Sequence, residues 1–467
     1  MDSDSILCQL EGIVGSGYVT DDPAELWCYT GNLLPTTPQY VVRPGTVAEV
    51  AKVVKLATEH LLPIIPRGLA TRNSPRRPGV HPTTQGGLIL ETTRLKGIRE
   101  IDEPAMTVTA EAGVTMAELA NKLASQGLRV VEGSVTPYCA TVGALTGVGP
   151  GLRKYGRREQ HILDIEVVLG NGEVIHTAGA DGGQTALTAL LIASQGIACL
   201  GVITAVTYRM FTLPESLDYL DFEFLETSGT IRFLQDIDRA GVAHLPTVFQ
   251  VNAWPEAVLR LYANMPWVRS QNEEMKKLLD RFPPFPADIV GVILEGTRDH
   301  VDVERNAITS LAIQAGGRSV GPEPIRDYYV NRNWTGNTKC HEDASRHTTS
   351  WAEPFFLCPI ERYGEAKALA EQVAHECGFD VGERFWARGS LRSGSMGYTV
   401  CVTFDDTVPD ERQRANRFVE GVLASASHFR KNMQEEASSK VGGRVISSLK
   451  AELDPLGLMF PGILYLD

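Results

Sequence analysis

The chain has 467 residues, enough for two or three domains rather than a single core. Its composition is 43% hydrophobic and 22% charged, with 44 Gly and 26 Pro, which excludes a disordered, collagen-like or coiled-coil chain. A formal net charge of -13 with no basic run argues against a general nucleic-acid role, and no apolar stretch of about 18 residues is present to span a bilayer.

In chain order, the acidic start Met1 to Gly12 lacks the basic region of a secretory signal, so a cytoplasmic location is expected. The first clear unit begins at Tyr40–Val42, a β-prone run closed by Pro44-Gly45. Thr46 with Glu49 predicts a capping box, and Val50, Val53, Val54 and Ala57 follow at helical spacing. Leu62–Ile65 reads as a second strand, parallel to the first, running into a sharp loop over Pro66–Arg72. Gly87–Glu91 and Met106–Ala110 are further strands. A second capping box, Thr115 with Glu118, opens a helix carrying Met116, Leu119 and Leu123, with Gly127 as its stop. Asp164–Leu169 and Glu173–His176 are strands joined by Asn171-Gly172, the sequence of a two-residue hairpin turn. Gly201–Tyr208 is another strand. Beyond Pro214, Ile289–Leu294 and the alternating Tyr398, Val400, Val402 and Phe404 predict strands. Val303, Ala307, Ile308, Leu311 and Ala315 predict one helical stripe; Ala366, Leu369, Ala370 and Val373 predict another, ending at Gly378. Phe282–Pro286 reads as a loop. The eight cysteines are scattered without CxxC spacing, which predicts buried free thiols and no iron–sulfur or zinc site carried by this chain.

Five segments carry a family likeness. They are Pro66-Arg-Gly-Leu-Ala-Thr71; Ala140-Thr-Val-Gly143 with Gly147, Gly149, Gly151 and Arg153 to Gly156; Asp164 to Val174; Leu200 to Thr204; and the tail Leu453 to Gly462. Together they resemble the FAD-binding domain of the vanillyl-alcohol oxidase / p-cresol methylhydroxylase (PCMH-type) superfamily, which includes glycolate oxidase subunits and D-lactate dehydrogenases. The resemblance implies an α+β fold. Its FAD-binding domain, residues 1–215, is completed by a C-terminal segment, 426–467, that returns to it. An inserted cap of antiparallel sheet flanked by helices spans 216–425. It implies FAD as cofactor, held by Pro66, Arg67, Gly68, Leu69, Ala70, Thr71 and Arg72, by Thr141, Gly143, Gly147 and Tyr155, and by main-chain groups near Val202 and Ile203. The chemistry is sound, because small residues let backbone N–H groups approach a pyrophosphate and an arginine supplies positive charge. Leu69 and Ala70 depart from the family by replacing two glycines. Thr349 stands where the covalent attachment residue would be, so the flavin is expected to be non-covalent.

The second half carries the substrate chemistry that the resemblance implies. Arg388–Met396 occupies the place of a metal-binding segment whose two histidines are absent, and His341, Glu342 and His347 have no known ligand spacing, so no metal is expected. Arg388 or Arg392 can grip an anionic substrate by a bidentate pair, and Arg430 matches the arginine of a phenolate-gripping pair whose tyrosine is replaced by Phe429. Candidate bases for a carbinol proton are His347, His341, Glu353 and Glu383. The expected reaction is hydride removal from a hydroxyl-bearing carbon of a small molecule, foremost a 2-hydroxy acid such as glycolate or lactate, with an aromatic alcohol or 4-alkylphenol as the alternative. A non-catalytic flavoprotein-like subunit of a redox complex is the rival of another class. Electrons would pass to oxygen or to a partner: an electron-transfer flavoprotein, a cytochrome or an iron–sulfur subunit. A nicotinamide-binding Rossmann domain is disfavoured, since Val42-Arg-Pro-Gly45 offers no G-x-G-x-x-G after the first strand.

Overall fold

The computed structural model describes residues 3–30, 36–69, 86–130, 139–141, 143, 155–156, 158–194, 200–240, 248–253, 287–319, 349–381, 385–392, 395–405, 407–429 and 435–461. The chain divides into two compact units, one of Met1–Gly149, Arg158–Leu213 and Glu435–Asp467, the other of Pro150–Arg157 and Pro214–Gln434.

The first unit holds two sheets. Strands β1 (Val19–Thr20), β2 (Tyr40–Val42), β3 (Ile64–Arg67) and β4 (Leu88–Glu91) form a sheet in the order β1-β2-β4-β3, with β2, β4 and β3 parallel. One face is covered by helix α1 (Ser3–Val14) and, after the short α2 (Pro23–Leu26), by α3 (Val47–Glu59), whose Val50, Val53, Val54 and Ala57 pack on Ile64, Leu88 and Leu90. The other face holds Leu26, Val41, Ile65, Ile89 and Phe460. Thr46 caps α3 by accepting from Glu49 N–H at 3.1 Å, but the Glu49 carboxylate turns to Gly45 N–H at 2.7 Å rather than closing the expected box. Strand β3 begins two residues later than predicted and takes in Pro66 and Arg67, which were expected in the loop. The reason lies in the sheet edge. Ile64 bonds outward to the C-terminal tail, its N–H donating to Leu458 O at 2.7 Å, and Pro66, two residues on, can stand in an edge strand without an N–H. Gly87, predicted within β4, precedes it with φ of 74°.

The second sheet comprises β5 (Ile98–Asp102), β6 (Thr107–Glu111), β8 (Ile162–Val168), β9 (Val174–His176) and β10 (Val202–Thr212), in the order β5-β6-β10-β8-β9, with β7 (Leu128–Val130) also pairing β10. Its core face, with Val108, Ile165, Val167, Val206 and Met210, is covered by α4 (Met116–Ala124) through Met116, Leu119 and Leu123, and by Leu191 and Ile192 of α5 (Ala186–Ser194). The capping box at Thr115 and Glu118 is complete. The turn between β8 and β9 is longer than predicted. Gly172 N–H donates to Leu169 O at 2.8 Å and Leu169 N–H to Glu173 O at 2.9 Å, with only Gly172 at positive φ. That is a three-residue loop in which Gly172 takes the left-handed position.

The second unit is built on an antiparallel sheet. Its main path runs β14 (Arg318–Ser319), β11 (Ser216–Phe224), β13 (Asp288–Gly296), β12 (Val248–Ala253), β17 (Phe385–Arg392), β18 (Ser395–Asp405) and β15 (Thr349–Ala352); β16 (Phe355–Pro359) also pairs β18. Helices α6 (Thr227–Arg239), α7 (Arg298–Gln314), α8 (Tyr363–Glu376) and α9 (Pro409–Ala426) belong to it. Asp288, fully buried, fastens α6 and α8 to β13: Thr230 donates to it at 2.9 Å, Tyr363 at 2.7 Å and Lys367 at 2.9 Å. The α7 stripe differs from the prediction. Val301, Glu304, Ile308 and Ala312 are buried, whereas Val303 is 69% exposed. A buried glutamate, with His300 Nε2 2.9 Å from its Oε1, shifts the inner face in a way apolar periodicity cannot foresee. Residues 282–286 lie outside the described residues. No described helix is long and apolar enough to cross a membrane. Among the described cysteines Cys139, Cys358 and Cys401 are buried, but Cys8 of α1 and Cys28 of the 3₁₀ turn Trp27–Tyr29 are exposed, contrary to expectation.

Candidate functional site

The three parallel strands of the first sheet end on one edge, and each ends in or just before a charged residue: Arg43 after β2, Arg67 closing β3 and Glu91 closing β4. Carboxyl ends of parallel strands are where open α/β sheets take their ligands. Tyr29, in a short 3₁₀ turn over Trp27–Tyr29, completes the edge. Its hydroxyl donates to Glu91 Oε2 at 2.8 Å and accepts from Arg43 Nη2 at 2.9 Å. Glu91 also accepts from Thr93 Oγ1 at 2.7 Å and lies 3.3 Å from Arg43 Nε, while Arg43 pairs outward with Glu25. The Arg67 guanidinium sits over the Tyr29 ring, 4.5 Å from its centroid.

The electrostatics follow from this packing. Burial raises the Tyr29 pKa and the Glu91 charge raises it further, so Tyr29 stays a neutral donor. Burial opposes the charge on Arg43, but its bonds to Tyr29 and Glu25 outweigh that and hold its pKa above the ordinary value. Burial lowers the Arg67 pKa, with Glu91 and Tyr29 working in the other direction.

Gly68 and Leu69 continue from Arg67. A Cβ on Gly68 would lie 3.4 Å from that of Ala140, so this loop abuts the segment Cys139–Thr141. That segment is fixed by Met116 N–H donating to Cys139 O at 2.9 Å and Thr141 N–H donating to Val114 O at 2.7 Å. Gly68 is thus brought beside Ala140, the neighbour in the chain of Thr141, which is buried, while Gly143 is exposed. Val202 and Ile203 lie on β10 opposite Val168 and Val167 of β8, whereas pairing with β6 begins only at Ala205. The β6-facing main-chain edge of Val202 and Ile203 therefore lies past the end of that ladder. Tyr155, half-buried, belongs to the other unit. Ala70, Thr71, Arg72 and Gly147 lie outside the described residues, as do His341, His347, Glu383 and Arg430. Arg388 is on β17, in register with Thr399 of β18 and Asn252 of β12. Among the described residues no group of three or more His, Cys, Asp or Glu could hold a metal. Sequence reasoning passed over Tyr29, Arg43 and Glu91. Their signal was the strand-end position of Arg43 and Glu91; Tyr29 had none, since it precedes the first clear strand–helix pattern.

Residues 38–178 match the family described as FAD binding domain. Residues 38–178 are thus similar to FAD-binding domains, and the chain shares the fold of p-cresol methylhydroxylase. The glycolate oxidase subunit GlcD of Bacillus subtilis is 32% identical over 192 residues, 38% of this chain and 40% of that one. The chain thus spans about two fifths of the length of that relative. The 1'-carboxy-chondrochloren decarboxylase of Chondromyces crocatus is 29% identical, covering 98% of this chain and 96% of its own. The solved structure of p-cresol methylhydroxylase with substrate bound superposes with a TM-score of 0.77 at 18% identity, covering 99% of this chain and 97% of that one, and shows the shared fold. The cofactor is FAD. The residues present suit it: the Arg67 guanidinium brings positive charge to the carboxyl edge of a parallel sheet, and Gly68 against Ala140 keeps side chains small beside the loop.

Proposed function

We propose that the protein is an FAD-dependent oxidoreductase that takes hydride from a hydroxyl-bearing carbon of a small carboxylate, foremost a 2-hydroxy acid such as glycolate or lactate. The observation that carries this is the likeness to two relatives of different coverage, one named for glycolate and the other, along nearly the whole chain, for a carboxylated compound. FAD, when bound, supplies the two-electron acceptor. Arg67, Gly68 and the following loop to Arg72 hold its diphosphate, with Thr141, Gly143, Gly147 and Tyr155 along the rest of the cofactor. The edge of Val202 and Ile203 beyond the β6 ladder offers main-chain groups to the adenine. Arg388 or Arg430 pairs with the substrate carboxylate, and His347 or Glu383 takes the hydroxyl proton as the carbon is oxidised. A second reading, oxidation of an aromatic alcohol or 4-alkylphenol, is favoured by the likeness to p-cresol methylhydroxylase along the full length of the fold.

The test is anaerobic addition of glycolate, both lactates, benzylic alcohols and 4-alkylphenols to the FAD-loaded protein, following loss of the oxidised-flavin absorption. Rapid bleaching by a 2-hydroxy acid is the expected result. Bleaching only by the aromatic compounds establishes the second reading. Flavin that binds but is bleached by none of them makes the chain a non-catalytic flavoprotein subunit. Carbon dioxide release is measured in the same samples, given the name of the near full-length relative.

A further inference from the structure

Tyr208 stands on β10, beyond the matched residues 38–178, opposite Val108 of β6 and Ile162 of β8. The ladder to β8 slips by one residue here, with Thr207 opposite Asp164, an irregularity of the kind that sheets carry beside functional sites. The Tyr208 ring belongs to the second-sheet core, as does Cys139, and the residue is only 2% exposed. Its hydroxyl is shut off from solvent and has no hydrogen-bond partner. A buried donor left unpaired costs stability that phenylalanine in the same space would not. Burial raises the Tyr208 pKa and the Thr141 hydroxyl works in the other direction, so the phenol stays a neutral donor with Thr141 as its polar neighbour. Thr141, two residues after Cys139, is fully buried. Its N–H donates to Val114 O at 2.7 Å, and its hydroxyl donates to Glu111 O over a long 3.4 Å. Among the described residues no donor reaches the Thr141 oxygen. A donor without an acceptor therefore lies beside an acceptor without a donor. We infer that Tyr208 is a positioning residue for FAD that acts through Thr141, its hydroxyl donating to Thr141 Oγ1 in the FAD-loaded protein and holding Ala140 and Thr141 in place beside Gly68. Part of the cofactor's binding free energy then comes from satisfying a hydroxyl that the unloaded protein leaves unpaired. The inference rests on the proposed placement of Thr141 along FAD and does not depend on which substrate is oxidised.

The test is a double-mutant cycle on FAD binding, read without substrate and beside the stability of the unloaded protein. Full-length apoprotein, expressed under flavin limitation, is titrated with FAD, and protein-bound flavin is measured after gel filtration; urea unfolding is followed on the same apoprotein. Tyr208→Phe should weaken FAD binding about tenfold, the worth of one buried hydrogen bond, while the urea midpoint of the apoprotein stays the same or rises. A tyrosine with only a structural role would lower that midpoint instead. Thr141→Val should weaken FAD binding about as much, and Thr141→Ser, which keeps the hydroxyl, should restore most of it. On the Thr141→Val background, Tyr208→Phe should add less than about twofold. Tyr208→Phe protein that binds FAD as tightly as the original, losses that simply multiply in the double variant, or an apoprotein weakened in step with FAD binding would each overturn the inference. If Thr141→Val leaves FAD binding unchanged, the proposed placement of Thr141 falls and the inference with it. Inertness toward every hydroxy acid would overturn the proposed reaction and leave this result standing.

Discussion

Glu166 lies on the polar face of the antiparallel sheet, where Arg99 grips both of its oxygens at 2.9 and 3.0 Å and Thr204 donates to it at 2.6 Å. Burial works against its charge, but Arg99 and Thr204 outweigh burial and hold its pKa below the ordinary value. A carboxylate whose folded pKa is depressed contributes stability above its unfolded pKa, near 4.3, and loses it as pH falls through the folded value. Urea unfolding measured from pH 6 downward should therefore show stability falling below about pH 4.3, and Glu166→Gln should flatten that fall. At neutral pH the same variant should lose about 2 kcal/mol, the worth of a charge-assisted pair. Gly87 makes a different point at the same scale. Its φ is 74°, and a Cβ there would lie 2.6 Å from Pro63 O. Gly87→Ala is expected to cost more than about 1 kcal/mol in the same assay.

Among the elements, α4 shows how a local signal reaches the site. Thr115 accepts from Glu118 N–H at 3.1 Å, Glu118 accepts from Thr115 N–H at 2.8 Å, and the residue so fixed bridges Ala140 beside Gly68. Thr115→Ala should cost about 1 kcal/mol in denaturant unfolding and weaken FAD retention with it. The C-terminal helix α10 (Glu435–Leu453) and its tail work through a buried ion pair, Lys450 Nζ to Asp454 Oδ2 at 2.7 Å. Asp454 also accepts from Leu458 N–H at 3.0 Å and Met459 N–H at 2.9 Å, while Lys450 donates to Met459 O, and this turn lays the tail along β3. Lys450→Met alone should destabilise by about 3 kcal/mol because it strands a buried carboxylate. Adding Asp454→Leu should recover only part of that loss in thermal unfolding, since it also removes the acceptor of the Leu458 and Met459 N–H groups.

At the scale of the whole molecule, the first unit is assembled from segments at opposite ends of the chain. Ile64 of β3 is bracketed by the tail, its N–H donating to Leu458 O and its carbonyl accepting from Phe460 N–H at 2.7 Å. Phe460 fills the sheet face with Val41, Ile65 and Ile89, and Leu449 and Leu453 pack on the second-sheet core. Ending the chain after residue 434 should therefore abolish FAD retention, measured as protein-bound flavin after gel filtration. In the intact chain, saturating FAD should raise the thermal transition by mass action. Much of this was legible beforehand because it is local. The helix at Val47–Glu59 follows from apolar residues three and four apart behind Thr46, and the strands of both sheets from short β-branched runs between Gly and Pro. Even the misjudged pieces were near misses of local chemistry, such as Gly172 taking a left-handed place in a three-residue loop. The α7 face was lost because a buried Glu304 breaks the apolar rule, and Tyr29 because nothing in its neighbourhood marks it. Residue type and spacing settle a stretch of backbone whose hydrogen bonds close within a few residues. The company that Arg67 keeps was decided only by the tertiary structure, because Tyr29 and Glu91 reach it through sheet order and chain return, which no local pattern encodes.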